Sequence, residues 1–282
     1  MKLTSQEIDK LREQITAAGI EPSPLTSEYE ALRVMRGKIS IIVYKSGKMV
    51  YEDNDETMNL VDKVLDQQKA EFTYELGSDE AGKGEWYGPL VAVCVAIRSE
   101  DIHQLRRIGI KDSKTISPKG IKIIANEIRK NKQIIWKQKM LRPPEYNSLV
   151  MSLKKEGRNL NDLLAWAHSA AITEVVDELQ HKGLSHEDNI RITIDKFAEE
   201  KMMLALRDLS KTSVTIVQKI GGEEDMAVAA ASILAKSLFE EEVDKMWQTF
   251  RIDFRIAKPT DVPAEILDRV AKTHFKNIRR PG

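Results

Sequence analysis

The first seventy residues combine one helical pattern of apolar positions with several strand-like patterns. Ile8, Leu11 and Ile15 recur at helical spacing and predict a helix that ends near Gly19. Three short strand-like runs and a second helical pattern follow: Tyr29 to Met35, Ile39 to Tyr44, Met49 to Tyr51, and then Met58, Val61, Val64 and Leu65. This order predicts a small α+β domain over residues 1–68.

From residue 69 onward, longer apolar strands alternate with longer helices, which predicts a second domain over residues 69–282. Strands are predicted at Phe72 to Leu76, Leu90 to Ile97, Ile134 to Met140, Ile190 to Ile194 and Val214 to Val217, and helices at 118–130, 159–180, 196–209 and 224–247. The late strand–helix–strand units favour parallel pairing, and the early strands favour antiparallel pairing. We therefore expect an α/β fold with a mixed five-stranded sheet flanked by helices, and with Trp136, Trp166 and Trp247 in its core.

The composition predicts a sizeable core and gives no overall charge. Of the 282 residues 41% are hydrophobic, and 44 Lys and Arg balance 44 Asp and Glu. A nucleic-acid partner would therefore require local positive charge. The single cysteine, Cys94, excludes a disulfide framework and a multi-cysteine zinc site. No apolar run approaches the roughly 20 residues of a membrane span, and the first residues lack the apolar core of a signal peptide, so we expect a cytoplasmic protein.

The segment GSDEAGKGEWYGP, from Gly77 to Pro89, places two adjacent acids and several glycines at the end of a predicted strand. Asp79 and Glu80 are candidates for catalysis, although acids are also common in turns. The glycines would let the backbone approach a ligand closely. The pattern G-x-x-x-x-G-K also resembles the start of a P-loop, but Gly84 replaces the required Ser or Thr, and a strand follows where a P-loop opens a helix. We therefore reject nucleotide triphosphate hydrolysis.

Further acids lie at the ends of two other predicted elements. Asp195 ends the alternating strand ITID, where ligands gather in α/β sheets, or it caps the next helix. Glu223, Glu224 and Asp225 open the last long helix, where the helix dipole alone also favours acids. Small residues after them, Ala227 and Ala229 to Ser232, would let this helix pack close to the sheet and bring the acids near the other strand ends.

Carboxylates that crowd together at one sheet edge repel each other unless divalent cations neutralise them. A set of Asp and Glu without a Cys or His cluster suits hard ions, which means Mg²⁺ or Mn²⁺. Two such ions activate water and stabilise the leaving oxygen in phosphodiester cleavage. The residues alone thus predict a metal-dependent phosphoryl-transfer nuclease.

Several motifs resemble those of the type 2 ribonucleases H, and more specifically of ribonuclease HIII. They are GSDEAGKGEWYGP, GIKDSKTIS, PPEYNSL with NLNDLLAWAHSAAI, ITIDKFAEE, AVAAASILAKSLF and THFKNI. The resemblance covers nearly the whole chain. It implies a ribonuclease H-like catalytic domain preceded by a TATA-binding-protein-like substrate-binding domain. It also implies hydrolysis of the RNA strand of RNA–DNA hybrids with two Mg²⁺ or Mn²⁺ ions, leaving 5′-phosphate and 3′-hydroxyl ends.

The resemblance further implies four catalytic acids that bind the metal ions. Asp79, Glu80 and Asp195 match three of them. The fourth is Glu223, with Glu224 or Asp225 as the alternative, because Gly-Gly-Glu-Glu-Asp is longer than the family's pattern. Since adjacent strand residues point to opposite faces, Asp79 is expected to be shared by both ions, with Glu80 reaching one of them.

The expected substrate contacts lie in three places. Peptide groups of Gly82, Lys83 and Gly84 would bond to ribose 2′-hydroxyls, which distinguish RNA from DNA. Ser113 and Lys114 would touch phosphate or form a polar turn, and Asn147 would support the substrate groove or cap a turn. The predicted N-terminal sheet carries a group of basic residues, which would either bind the nucleic acid or form an ordinary solvated face. They are Arg33, Arg36, Lys38, Lys45 and Lys48.

Two alternative functions stay open. Lys83 stands where the HIII branch often has Thr and the HII branch has Arg, so the chain could instead resemble ribonuclease HII and incise duplex DNA at a single ribonucleotide. A hybrid-binding protein without catalysis is the other alternative, and the intact set of acids argues against it. We expect the protein to be a monomer whose partner is an RNA–DNA hybrid, and we expect no association with a membrane.

Overall fold

The N-terminal residues fold as their apolar pattern predicts. Helix α1 spans Ser5–Ala17, and strands β1 (Glu30–Arg36), β2 (Ile39–Tyr44) and β3 (Met49–Tyr51) pair antiparallel in that order. The core of this unit joins the apolar face of α1 to alternate strand positions, including Ile8, Leu11, Ile15, Leu32, Val34, Ile41 and Val43. The predicted second helix lies largely outside the described residues, although residues 56, 57, 60 and 61 are helical.

The structure, a computed structural model, describes residues 3, 5–52, 54, 56–57, 60–61, 72–102, 105, 108–110, 116–185, 187–195, 199–206, 214–219 and 225–278. The chain forms two compact units, Met1–Ala70 and Glu71–Gly282.

The second unit is built on the mixed five-stranded sheet that the sequence predicts. Its strands are β4 (Tyr74–Ala81), β5 (Leu90–Arg98), β6 (Ile135–Leu141), β7 (Ile190–Asp195) and β8 (Val214–Lys219). Their order across the sheet is β6-β5-β4-β7-β8. The β4–β5 and β5–β6 pairs are antiparallel, and the β4–β7 and β7–β8 pairs are parallel. The carboxyl ends of β4 and β7 therefore lie side by side at one edge of the sheet.

Helices cover both faces of this sheet. They are α2 (Pro118–Lys130), α3 (Pro143–Lys155), α4 (Leu160–His181), α5 (Glu199–Ala205), α6 (Met226–Phe250) and α7 (Ala264–Val270). One face packs against α6 and α2 and the other against α4, which explains why β5 is apolar at every position from Leu90 to Ile97. None of the described helices is both long and apolar enough to cross a membrane.

A glycine in β4 brings α6 unusually close to the sheet. A Cβ atom on Gly77 would lie 2.1 Å from the backbone nitrogen of Val228, a distance that no side chain tolerates. The small residues at the start of α6, among them Ala227 and Ala229, are buried against the sheet. The expected close packing is thus confirmed, and it places the beginning of α6 over β4 and β7.

Some details differ from the sequence prediction. Helices α3 and α7 were not predicted, and α6 begins at Met226 rather than at residue 224. The expectation that the tryptophans lie in the core was wrong for two of them, since Trp166 is 39% exposed and Trp247 is 47% exposed. The Trp166 ring in α4 instead lies beside strand β6, where the Lys139 ammonium sits 4.9 Å from its centre.

Candidate active site at the end of strand β4

Asp79 and Glu80 lie near the end of β4 and point to opposite sides of the sheet, as strand geometry requires. Asp79 lies on the α6 side, where burial raises its pKa and the neighbouring Glu80 carboxylate raises it further. A hydrogen bond from the buried Ser232 hydroxyl lowers the pKa and only partly offsets this rise. One Asp79 oxygen also accepts a hydrogen bond from the Glu80 backbone N–H at 2.8 Å. A largely buried carboxylate beside a second acid is a site that a hard cation would stabilise.

Glu80 faces α4 and contacts two nitrogen donors, one from α4 and one from the loop after β4. Its Oε2 lies 3.0 Å from His168 Nε2, and its Oε1 lies 3.2 Å from Lys83 Nζ. Burial by itself raises the pKa of Glu80, but the hydrogen bonds and charges of His168 and Lys83 outweigh it and lower the pKa to about 2. Glu80 is therefore an ionised carboxylate at neutral pH. Asp79 and Glu80 together supply oxygen ligands from both sides of the strand.

The third acid, Asp195, ends β7 directly beside the end of β4. In the parallel pairing Ser78 is opposite Ile194, so the next residues along the two strands, Asp79 and Asp195, follow side by side in the backbone. The side chain of Asp195 and the whole of Glu223 lie outside the described residues. Among the side chains that are described, no group of three Asp, Glu, His or Cys could hold a metal ion. Of the four acids expected to bind metal, the described side chains thus include only Asp79 and Glu80.

Asp225, one of the alternatives for the fourth acid, has hydrogen-bond partners on both of its oxygens. Its Oδ1 caps α6 by accepting hydrogen bonds from the backbone N–H groups of Ala227 at 3.0 Å and Val228 at 3.4 Å. Its Oδ2 accepts from the Thr193 hydroxyl at 3.1 Å and lies 3.4 Å from Arg191 Nη2. A metal ion would therefore have to compete with the helix cap for these oxygens.

In the glycine loop after β4, the backbone conformation and the surroundings differ between Gly82 and Gly84. Gly82 has φ +84°, and a Cβ atom on it would lie 2.1 Å from the Pro89 carbonyl oxygen. Gly84 has no positive φ, and nothing lies within 4 Å of the position that its Cβ would take. The fold requires glycine at position 82 and leaves open space at position 84. The two glycines and Lys83 border a groove of about 870 Å³ that also reaches Glu80, Lys119, Lys122, Lys236 and Arg255.

A buried lysine fixes the far side of this loop. Lys272 is 0% exposed, and its Nζ donates to the carbonyl oxygens of Glu85 at 3.0 Å and Tyr87 at 2.8 Å. Its backbone N–H donates to the Trp86 carbonyl at 2.7 Å. Burial lowers the pKa of Lys272 to about 7, although Glu85 partly opposes the shift. The segment after Gly84 is therefore anchored to the chain near its C-terminus.

The other expected substrate contacts in this unit fall into two groups. The Asn147 amide lies in α3 and cross-links the same C-terminal segment, since it donates to the Ala271 carbonyl at 2.9 Å and accepts from the Thr273 N–H at 2.9 Å. It supports the strand-like segment that carries Lys272. Ser113 and Lys114 lie outside the described residues, so their contact with phosphate stays a prediction.

The basic residues of the N-terminal sheet are not equivalent. Arg33 donates to the buried Glu30 carboxylate at 2.7 and 3.0 Å, and this hydrogen bond holds the pKa of Glu30 at about 2. Arg36 donates to the Gly19 carbonyl at 2.8 Å. Lys45 and Lys48 are exposed around the turn between β2 and β3. Lys38, in the turn between β1 and β2, is exposed as well, so the three lysines offer the more accessible positive charge of this group.

Sequence reasoning missed three side chains that hold the site: His168, Ser232 and Lys272. His168 had a usable signal, because it lies four residues from both Leu164 and Ile172 on the apolar face of α4, where a polar residue is unusual. Ser232 interrupts a run of alanines on the buried face of α6. Lys272 had no such signal, since nothing in its local sequence distinguishes it from an exposed lysine.

Comparison with known proteins assigns this arrangement to a family. A family model described as Ribonuclease HII matches residues 76–280. Ribonuclease HIII of Protochlamydia amoebophila is 30% identical over 272 residues, which cover 89% of this chain and 86% of the relative, and ribonuclease HIII of Chlamydia abortus is 32% identical over 264 residues, which cover 85% and 83%. A crystal structure of Bst-RNase HIII in complex with Mn²⁺ superposes with a TM-score of 0.64 at 23% identity, over 99% of this chain and 96% of that one. The two-part fold inferred from the sequence is thus confirmed.

Proposed function

The chain belongs to the ribonuclease HII family and to its ribonuclease HIII branch, and from that premise we propose that it hydrolyses the RNA strand of RNA–DNA hybrids, leaving 5′-phosphate and 3′-hydroxyl ends. It is an endoribonuclease of the type 2 ribonuclease H class. The observation that carries the proposal is the pair of largely buried acids, Asp79 and Glu80, at the end of β4 beside the backbone of Asp195.

The donor set at this site fits hard divalent ions. Carboxylate oxygens predominate, the lone Cys94 is buried in the sheet, and the Asp79 carboxyl bears a desolvation cost that a bound cation would offset. We assign Asp79, Glu80, Asp195 and Glu223 as the residues that would hold two ions, Mg²⁺ or Mn²⁺. When bound, the ions would supply an activated water and charge stabilisation for the leaving 3′-oxygen. The protein's own part is to hold the carboxylates in place and to position the scissile strand beside them.

Glu223 is the choice for the fourth acid because Asp225 already has other partners. Both Asp225 oxygens are taken by the helix cap and by Thr193 and Arg191, as described above. Glu224 is the remaining alternative. Glu223→Gln should abolish cleavage, whereas Asp225→Asn should retain it, because an asparagine can cap α6 through the same oxygen. Loss of cleavage in Asp225→Asn with an unchanged melting temperature would move the assignment to Asp225.

The glycine loop is proposed to read the RNA strand. The open space at Gly84 would allow a ribose to approach the peptide groups of Gly82, Lys83 and Gly84, whose polar atoms would bond to 2′-hydroxyls. Lys83 pairs with Glu80 in the structure and is 43% exposed, so its ammonium could also reach phosphate. We propose Ser113, Lys114 and Asn147 as further elements of the substrate groove, Asn147 acting by holding the C-terminal segment.

The N-terminal unit is proposed to bind the hybrid, with residues 1–68 as the binding domain and 69–282 as the catalytic domain. The exposed Lys38, Lys45 and Lys48 supply its accessible positive charge, and Arg36 and Arg33 contribute less because they already bond to Gly19 and Glu30. We propose a monomer that acts in the cytoplasm, in keeping with its single, buried cysteine.

The direct test is incubation of the full chain with a labelled RNA–DNA hybrid, first in Mg²⁺ and then in Mn²⁺. Cleavage within the RNA strand with 5′-phosphate ends supports the proposal. Binding of the hybrid without cleavage in either metal would instead support a non-catalytic hybrid-binding protein.

Ribonuclease HII-like incision is the second candidate, because Lys83 stands where the HIII branch often has Thr and the HII branch has Arg. A DNA duplex with one embedded ribonucleotide separates the two activities. Cutting of that duplex as fast as of a uniform hybrid would favour the second candidate, while much slower cutting supports the first.

A further inference from the structure

A buried histidine links the interior of the sheet to the Glu80 carboxylate. His168 lies on α4 and is 1% exposed. Its Nδ1 is 2.7 Å from the hydroxyl of Ser78, which is itself completely buried and lies 2.9 Å from the Val93 carbonyl oxygen. Its Nε2 is 3.0 Å from Glu80 Oε2. The Val93 carbonyl in β5, the Ser78 hydroxyl in β4, the His168 ring in α4 and the Glu80 carboxylate thus form one continuous chain of hydrogen bonds.

The direction of the last hydrogen bond does not depend on how the protons are shared. The Ser78 hydroxyl has one proton, which it donates either to Val93 or to His168 Nδ1. If it donates to Val93, Nδ1 must carry a proton and donate to the hydroxyl. If it donates to Nδ1, the imidazole proton is on Nε2. A carboxylate can only accept, so the 3.0 Å contact makes Nε2–H the donor to Glu80 in both arrangements, and in the first arrangement the imidazole carries a proton on both nitrogens.

This hydrogen bond selects one orientation of a flexible side chain. A glutamate has three rotatable bonds, and strand alternation aims Glu80 away from the face on which Asp79 lies. His168 holds Oε2 on the α4 side and leaves Oε1 turned toward Lys83, at the mouth of the groove. The histidine is itself fixed at its other nitrogen by Ser78, so it cannot rotate away without breaking a buried hydrogen bond.

We propose that His168 is a positioning residue that, with Ser78 behind it, holds the Glu80 carboxylate ready for a divalent ion. The inference deepens the function proposed above and rests on it. Partners of this kind orient metal ligands in many sites, and their removal typically weakens metal binding about 10- to 100-fold. Any buried histidine needs partners for its ring nitrogens, and what sets this one apart is that one partner is a carboxylate of the proposed metal site.

The test compares His168→Leu with His168→Gln in the full-length protein. The leucine removes the donor, whereas the glutamine amide nitrogen can occupy the position of Nε2 and donate to Glu80. Mn²⁺ binding is measured by isothermal titration calorimetry without substrate, and hybrid cleavage is measured as a function of Mn²⁺ concentration. We expect His168→Leu to bind Mn²⁺ about tenfold or more weakly and to need correspondingly more Mn²⁺ for half-maximal cleavage, with the KM for hybrid unchanged. His168→Gln should recover most of the Mn²⁺ affinity.

Ser78→Ala keeps the test decisive if His168→Leu does not fold. It leaves the histidine in place without its support, and we expect a smaller weakening of Mn²⁺ binding in the same direction. Wild-type Mn²⁺ affinity in His168→Leu or, where that variant does not fold, in Ser78→Ala would overturn the inference while leaving the proposed function intact. Failure of the wild-type protein to bind Mn²⁺ and to cleave hybrid would overturn the proposed function, and the inference with it.

Discussion

Replacement of the buried Lys272 by methionine should change how the stability of the catalytic unit depends on pH. Lys272 is 0% exposed, and burial lowers its pKa from 10.5 to about 7. Between these two pKa values the unfolded chain binds a proton that the folded chain does not. The free energy of unfolding therefore rises with pH in this window, and below about pH 7 the difference in bound protons disappears.

The size of this effect follows from the two pKa values. Integrated from pH 7 to pH 9, a shift from 10.5 to about 7 adds about 2 kcal/mol to the stability of the folded state. The methionine side chain in Lys272→Met has no proton to bind, so the variant lacks this increment. The substitution also removes the donor of the Glu85 and Tyr87 carbonyl oxygens, a loss that does not depend on pH.

Tryptophan fluorescence gives a clean assay, because all four tryptophans lie in the second unit. Guanidinium unfolding of the wild type and of Lys272→Met is compared at pH 7, 8 and 9, and the difference between the two free energies of unfolding cancels the titrations that both proteins share. We expect the free energy of unfolding of the wild type to rise by about 2 kcal/mol relative to that of Lys272→Met over this range. A difference that stays constant with pH would refute the reasoning and show that Lys272 keeps its proton in the folded protein.

The remaining predictions concern the glycine loop and the N-terminal sheet. Gly84→Ala should leave the melting temperature unchanged and lower kcat/KM for the hybrid about tenfold, which corresponds to the loss of about one hydrogen bond. Gly82→Ala should instead destabilise the fold by at least about 1–2 kcal/mol, because Gly82 has a positive φ. Equal activity of Gly84→Ala and wild type would contradict the assigned role of the loop. The double variant Lys45→Gln, Lys48→Gln should weaken hybrid binding and reduce its salt dependence by about two counterions, measured by fluorescence anisotropy at several salt concentrations. Lys132→Gln, an exposed lysine of the catalytic unit, is the control, and an identical salt slope in both variants would exclude hybrid binding by the N-terminal sheet.

Periodicity in the sequence located most of the sheet and its covering helices. The predicted helix at 118–130 has the observed bounds, because Ser117 caps it and Pro118 occupies its first position. Helix α3 was missed although Pro143 and Pro144 mark its start in the same way and its apolar positions 146, 149, 150 and 153 recur at helical spacing. The exposed Trp166 shows the limit of residue type as a guide to burial, because its aromatic ring is covered on the surface by a lysine instead of by the core.

The positions of the candidate acids at strand ends were predictable from the sequence, and the side chains that hold them in place were much less so. Asp79, Glu80 and Asp195 are recognisable at strand ends, where topology gathers side chains from distant parts of the chain. The hydrogen bonds of His168 with Glu80 and Ser78 join residues some ninety positions apart, and only the packing of α4 across β4 brings them together. The role of Asp225 as a helix cap depended on where α6 begins, which periodicity could not fix to within two residues.

The central claim is that carboxylates at the end of β4 carry out metal-dependent cleavage of RNA in hybrids, and Asp79→Asn tests it most directly. The same labelled hybrid is given to the wild type and to Asp79→Asn in Mn²⁺, and cleavage and binding are both measured. We predict that the variant binds the hybrid as the wild type does but cleaves at least about 10³-fold more slowly, a loss of about 4 kcal/mol in transition-state stabilisation. Cleavage by Asp79→Asn at the wild-type rate would contradict the account.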